Sequence, residues 1–296
     1  MSVLLNDTYN AFLRSRRILG LTDKTIQCYR DFVGYFLNFV DVQYVHELNY
    51  EKVCEYIEFL FTKKLSRSTV ATYISHVRVY LSWIELEYNV DLQVKKIKVP
   101  KTYKKILRIY GDEEILQIFN AVESNDIWIV YRNKTIISLM LDSGLRRSEV
   151  CNLRLRDINN GLIKIHGKGN KERVVPLGKL TNSFLQRYLS LAPFVKDYIF
   201  VTKNHDVITN NAVKLMIAKL AKKLPFEFSS HKLRHNFATN YCLDQYERYG
   251  QIDIYRLMVL MGHEDIETTR RYLHLANQII ASRTNISHLD RFLDVL

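Results

Sequence analysis

The residues with most chemistry to offer lie between Ser229 and His274, a stretch that reads SSHKLRHNFATNYC, a linker, and then LMGHEDIETTRRYLH. Ser229 and Ser230 are helix N-cap residues, and Leu233, Phe237 and Tyr241 recur at helical spacing, which predicts a helix over His231 to Cys242. On it His231, Arg234 and His235 share one face, opposite Leu233 and Phe237, so that one face is core and the other chemistry. Ile252 to Met261 reads as a second apolar helix stopped by Gly262, and a short segment through Thr268 and Thr269 leads from His263 to Tyr272. Two histidines, an arginine and a tyrosine then converge on one phosphate. A guanidinium fork holds two phosphate oxygens and stays charged, while a tyrosine, with a free pKa near ~10, needs a base or nearby cations to become a nucleophile.

Two further stretches supply partners for that set. LDSGLRRSEVCNLRLRD, Leu141 to Asp157, is rich in arginine and sets Glu149 three residues after Arg146, a spacing at which the two can simply pair on a helix. IKIHGKGNKERVVPLG begins at Ile163; Leu162 to His166 alternates as a strand, Gly167 to Asn170 turns, and Arg173 to Pro176 returns, a hairpin with Lys168 near its tip. Its glycines and lysine lack the spacing of a phosphate-binding P-loop. His231 and His235 are spaced like zinc ligands, but Arg234 lies between them and no third ligand is evident, so neither a metal nor another cofactor is expected. Helices are read at Asp112 to Val122, Tyr131 to Leu141, Arg147 to Leu153, Leu180 to Leu189 and Asn210 to Leu224, giving a mixed α/β region.

Upstream of Pro100 the chain has no proline and two glycines, and it reads as about four helices, with caps at Thr22-Asp23 and at Ser66 or Ser68. Val70, Tyr73, Ile74, Val77, Leu81 and Ile84 form the buried stripe of the last. Residues 1–100 carry 13 basic and 11 acidic side chains, so most of the formal charge of +12 lies downstream. Lys95, Lys96, Lys98, Lys101, Lys104, Lys105 and Arg108 follow one another with no acid between them, a basic connector broken by Pro100 and suited to tracking phosphates. A pI near 9.4 favours a polyanionic partner, nucleic acid first. No apolar run reaches the ~18 residues of a membrane helix and the N-terminus is unlike a signal peptide, so a cytosolic location without a membrane partner is expected. Cys28, Cys54, Cys151 and Cys242 read as reduced core thiols. In the tail, Leu289, Phe292, Leu293 and Leu296 form one stripe of a short helix over 287–296, able to dock on its own domain or on a neighbour.

Taken in order, G-L-R at Arg146, G-K-G at Lys168, H-x-L-R-H from His231, L-M-G-H ending at His263 and T-T-x-x-Y ending at Tyr272 resemble the boxes of the tyrosine recombinases, the phage-integrase and Xer-like site-specific recombinase family. The resemblance implies a mainly α fold: a four-helix, SAM-like core-binding domain over 1–94 that clamps DNA, a linker over 95–110, and a mixed α/β catalytic domain over 111–296 with a small hairpin. It implies that Tyr272 is the nucleophile, Arg146 and Arg234 the phosphate forks, and His263 a phosphate donor. His231 would donate too or take the tyrosine proton, Lys168 would protonate the leaving 5′ oxygen, and Glu149 and His235 would orient the forks. The product would be a 3′-phosphotyrosyl linkage, exchanged without metal or ATP through a Holliday junction at a near-palindromic DNA site. A homotetramer joined by the C-terminal tails, an accessory protein or second recombinase, and a nucleoid-associated location go with it. The interval between Arg234 and His263 is longer than is usual in the family, which is why a loop is expected around Gln245 to Gln251; a helical extension there instead would change the relative placing of the two half-sites and bear on His263. Two other readings are a type IB topoisomerase and a non-enzymatic architectural DNA-binding protein.

Overall fold

The computed structural model describes residues 3–101, 108–167 and 171–284; Lys104, Lys105, Lys168 and the 287–296 tail lie outside them. The chain divides into two compact units, Met1–Lys105 and Ile106–Leu296.

The first unit holds α1 (Leu5–Ile18), α2 (Asp23–Val40), α3 (Tyr50–Thr62) and α4 (Arg67–Tyr88). The hydroxyls of Thr22 and Ser66 accept backbone N–H groups at the starts of α2 and α4, as the sequence indicates, and Asn49 does the same for α3. Phe12, Phe36, Tyr56, Tyr80 and Leu81 are completely buried between the helices. The start of the basic stretch differs from a free connector. Leu92, Val94 and Ile97 belong to this core, and the Glu85 carboxylate accepts the N–H groups of Leu92 and Val94 at 3.0 Å each. Apolar residues alternating with the lysines pin the backbone, so Lys95, Lys96, Lys98 and Lys101 stand exposed on a fixed ledge.

The second unit runs α5 (Asp112–Asn120), α6 (Ile127–Asp142), α7 (Arg147–Cys151), β1 (Ile158–Asn159), β2 (Leu162–His166), β3 (Glu172–Pro176), α8 (Lys179–Leu191), α9 (Asn210–Ala221), α10 (Ser230–Tyr249), α11 (Ile254–Met261) and α12 (Ile266–Thr284). The strands form one antiparallel sheet in the order β1-β2-β3, with Ile163 opposite Val175 and Ile165 opposite Arg173. Period-two alternation turns Ile163, Ile165, Val175 and Arg173 inward. All four cysteines are free thiols, Cys151 and Cys242 buried.

Three expectations are corrected here. Helix α10 has no chemical face opposed to a core face: Leu233 through Thr239 are all buried. Leu233 packs into the main core, while Phe237, Ala238, Cys242 and Leu243 join a second core with Leu257, Met261, Tyr272 and Ala276. The helix passes between the two. The region from Gln245 is not a loop, because α10 continues to Tyr249 and ends at Gly250 in the left-handed conformation (φ 69°). No helix breaker intervenes, and Arg283 of α12 donates to Glu247 at 3.0 Å. Finally, Thr268 and Thr269 are helical, so Tyr272 sits on α12 itself.

Candidate active site

Arg146 leaves the sharp turn after α6. Gly144 takes φ +63°, and a Cβ there would run into the Phe237 ring, so the position demands glycine twice over. Arg146 then caps α7, and Glu149 reaches back to it, accepting its backbone N–H at 2.7 Å and its Nη1 at 2.9 Å. The pairing that would be unremarkable on an exposed helix is here the start of a buried cluster.

Its other members are Arg234 and a residue the motifs do not mark, Arg173. From β3, Arg173 donates Nη1 to Glu149 Oε1 and Nη2 to Oε2, both at 2.8 Å. Glu149 thereby accepts four hydrogen bonds, as many as a carboxylate has lone pairs. Burial alone would push its carboxyl pKa up, but the Arg173 fork and the Arg146 N–H and charge outweigh this and hold it at about 2. Three successive carbonyls at the end of α11 each take a different arginine: Leu260 O accepts Arg173 Nε at 2.8 Å, Met261 O accepts Arg234 Nη2, and Gly262 O accepts Arg146 Nη2 at 2.7 Å. The remaining Arg234 prong donates to Gly144 O. Gly262 is left-handed (φ +59°), and a Cβ on it would stand 2.9 Å from Arg173 Nη1.

The histidines and the tyrosine lie beside this cluster. Arg234 Nη2 approaches His263 Nε2 at 3.3 Å, and His263 Nδ1 meets Thr269 Oγ1 at 2.9 Å. An arginine can only donate, so Nε2 is the acceptor and the proton sits on Nδ1. Burial, and then the charges of Arg234 and Arg146, lower the His263 pKa to about 4, and the ring is neutral at pH 7. Burial also takes His235 to about 3 and lowers His231, which faces Arg271 and Arg234 as well. The Tyr272 ring is 2% exposed, 5.3 Å from the His235 ring and 6.3 Å from that of His263. Burial raises its pKa against the opposing pull of Arg271, Arg234 and Arg146. Tyr272 is thus a packed, protonated phenol.

A cavity of about 1050 Å³ opens over the cluster, lined by Arg146, Arg173, Lys171, His166 and His263 among others. Arg234 and Tyr272 are not among its described lining residues. The structure therefore brings together Arg146, Glu149, Arg234, His235, His263 and Tyr272, with His231 against His235 at a ring separation of 3.9 Å. The Arg234–His263 interval is lengthened by a helical extension of α10 rather than by the expected loop, and His263 still lies beside Arg234. Arg108 is paired with Glu114 at 2.9 Å. Among the described residues no group of His, Cys, Asp and Glu is placed to hold a metal ion, and no helix is long and apolar enough to cross a membrane. Arg173 did leave a signal: its parity on β3 puts a charged residue on the apolar face of a hairpin.

Residues 109–278 match the model of the phage integrase family, and residues 8–89 that of the phage integrase N-terminal SAM-like domain. The chain belongs to the phage integrase family. As a member of it, the protein is a site-specific tyrosine recombinase. It is 30% identical to tyrosine recombinase XerC of Staphylococcus epidermidis over 287 residues, 93% of each chain. The XerC of Staphylococcus aureus USA300 is 29% identical over 288 residues, 93% of this recombinase and 94% of the relative. The fold is shared with XerH recombinase bound to palindromic difH substrate, at a TM-score of 0.70, 22% identity and coverage of 88% of this chain and 79% of that one. It is shared too with a lambda integrase tetramer bound to a Holliday junction, at a TM-score of 0.72, 16% identity and coverage of 89% and 78%.

Proposed function

We propose that Tyr272 attacks a DNA phosphate seated over the Arg146–Glu149–Arg234 cluster, forming a 3′-phosphotyrosyl bond as the bond from phosphorus to the 5′ oxygen breaks. The observation that carries this reading is the pair of guanidinium forks fixed by backbone carbonyls beside a tyrosine, in a chain matching a recombinase along nearly its whole length. Cations held in place in advance stabilise the charge gathering on phosphoryl oxygens and need no reorganisation during the reaction. His231, its pKa lowered by partial desolvation and by the charges of Arg271 and Arg234, is the base for the phenol proton. Lys168 gives a proton to the leaving 5′ oxygen, and His235 supports the ring of Tyr272. His263 donates to the phosphate once its ring turns, because Nε2 in the free protein accepts from Arg234. Since Tyr272 is packed away in the free protein, DNA binding has to draw out the start of α12.

Attack by a 5′ hydroxyl of a second duplex reverses the step, and two rounds through a Holliday junction recombine two near-palindromic sites. Four strands need four tyrosines, hence a homotetramer linked by the 287–296 tails. The region up to residue 94 and the lysine ledge bind the duplex as well. The match to XerC supports a Xer-type role on chromosomal DNA, in the cytoplasm at the nucleoid, with a second recombinase as partner.

The test is covalent capture. Purified protein is incubated with sheared genomic DNA and denatured, and bound fragments are sequenced, with Tyr272→Phe in parallel. One short near-palindromic site, absent with the variant, supports the reading, and its neighbourhood separates chromosome resolution from element mobility. Enrichment without sequence preference points to topoisomerase action, and DNA binding without any covalent product to an architectural role.

A further inference from the structure

The residue the motifs passed over sits in the middle of the arginine cluster. Arg173 uses three of its N–H groups, two on Glu149 and one on Leu260 O, and its side chain is 7% exposed. It ties three elements together: β3, which carries the hairpin, α7 through Glu149, and the end of α11, which leads to His263 and Tyr272. Its alignment opposite Ile165 leaves the guanidinium one direction to go, inward.

The charges make its role specific. Arg146, Arg173 and Arg234 against Glu149 leave a net +2, matched to a phosphodiester whose charge approaches −2 as the nucleophile adds. Without Arg173, Glu149 keeps only its two bonds from Arg146, and the cluster falls to +1. A buried carboxylate with unmet lone pairs then draws on the nearest donors. These are the same forks the phosphate needs: Arg146 Nη1 is already bonded to it, and Arg234 Nη1 lies 3.9 Å from Oε2.

We propose that Arg173 is a positioning residue for phosphoryl transfer, occupying Glu149 so that this carboxylate does not compete with the scissile phosphate for Arg146 and Arg234. It acts through those forks. The proposal rests on the recombinase reading of the pocket.

The experiment uses the full chain and a nicked synthetic duplex of the captured site, from which the cleaved strand diffuses away. Wild type, Arg173→Met, Glu149→Gln and the double variant are compared for rate of covalent-complex formation, DNA affinity and thermal unfolding. Arg173→Met is expected to cleave about a hundredfold more slowly, with DNA affinity within about threefold, since most of the affinity comes from other phosphate contacts. The double variant restores the net +2 and is expected to cleave about tenfold faster than Arg173→Met alone, a non-additivity that a merely structural arginine would not give. A wild-type rate in Arg173→Met, or a double variant no faster than Arg173→Met, overturns the proposal. Should Arg173→Met fail to fold, Arg173→Lys decides: a point charge reaches one carboxylate oxygen rather than two, so a loss of about tenfold is expected and an unchanged rate overturns the proposal. Absence of covalent complex from wild type removes the recombinase reading and this proposal together, whereas wild-type cleavage with an unaffected Arg173 variant removes the proposal alone.

Discussion

Two buried polar regions of the second unit are built on opposite terms. Around Glu149 the carboxylate accepts four hydrogen bonds, and the arginines are tied down by Gly144 O and three consecutive carbonyls at the end of α11, Leu260 to Gly262. Along the neighbouring α10, which packs on α12, His235 Nδ1, Asn236 Nδ2 and Thr239 Oγ1 are buried without a hydrogen-bond partner among the described residues. Each such group costs about 1–3 kcal/mol relative to a satisfied one. Opening the first region breaks bonds; opening the second relieves that cost. The arginine cluster is held by a full set of hydrogen bonds, whereas the packing around Tyr272 is apolar and leaves neighbouring polar groups of α10 unmet.

The largest break in that contrast comes from Arg234→Met, which removes a fork and strands the carbonyls of Gly144 and Met261. Cleavage is expected to fall by about a hundred- to a thousandfold, and single-turnover assays with melting curves separate this from a loss of stability. Gly144→Ala strains a left-handed turn and pushes on Phe237, so it should destabilise the protein by about 1–3 kcal/mol in denaturant titrations. Acid should also weaken the fold. The pKa values of His263 and His235 are lowered to about 4 and about 3, so between their unfolded value of 6.5 and these figures the unfolded chain binds more protons. Their contribution is complete above pH 6.5 and is lost as pH falls toward 4. Glu149, held at about 2, keeps its contribution until pH drops below the ordinary carboxylate range. A melting temperature that declines from pH 7 to 5, and declines less in His235→Asn, meets this expectation. The smallest effect sharpens the comparison most: Thr239→Val removes an orphaned hydroxyl at nearly constant shape and should be neutral or stabilising by up to about 1 kcal/mol, whereas a clear loss of stability would show that the seam is satisfied after all.

Much of this was legible in the sequence, because the cues were local. Thr22, Ser66 and Ser229 cap the helices they announce, and the alternation from Leu162 to Pro176 forms the hairpin it suggests. Arg234, His263 and Tyr272 stand out by their spacing and Arg146 by its resemblance to the family's arginine box, and the four meet in space. What escaped depends on contacts distant in sequence. Nothing near Arg173 announces Glu149, 24 residues away, and only its inward parity sets it apart from an ordinary hairpin cation. The wrapping of α10 on all sides needs a second core that includes residues 257–276, which no periodicity within α10 reveals. The length of the Arg234–His263 interval relative to the family suggests a loop after Gln245, yet polar residues continue a helix readily once a partner such as Arg283 lies alongside.

The most direct test of the central claim is to locate the bond itself. The wild-type protein is trapped on DNA, digested with trypsin, and the nucleotide-bearing peptide identified by mass spectrometry. The expected result is a single adduct, a DNA 3′ phosphate on Tyr272 in the peptide that ends at Arg283. An adduct on any other of the chain's 19 tyrosines, or one through a 5′ phosphate, would contradict the assignment of Tyr272 and the direction of attack built on it.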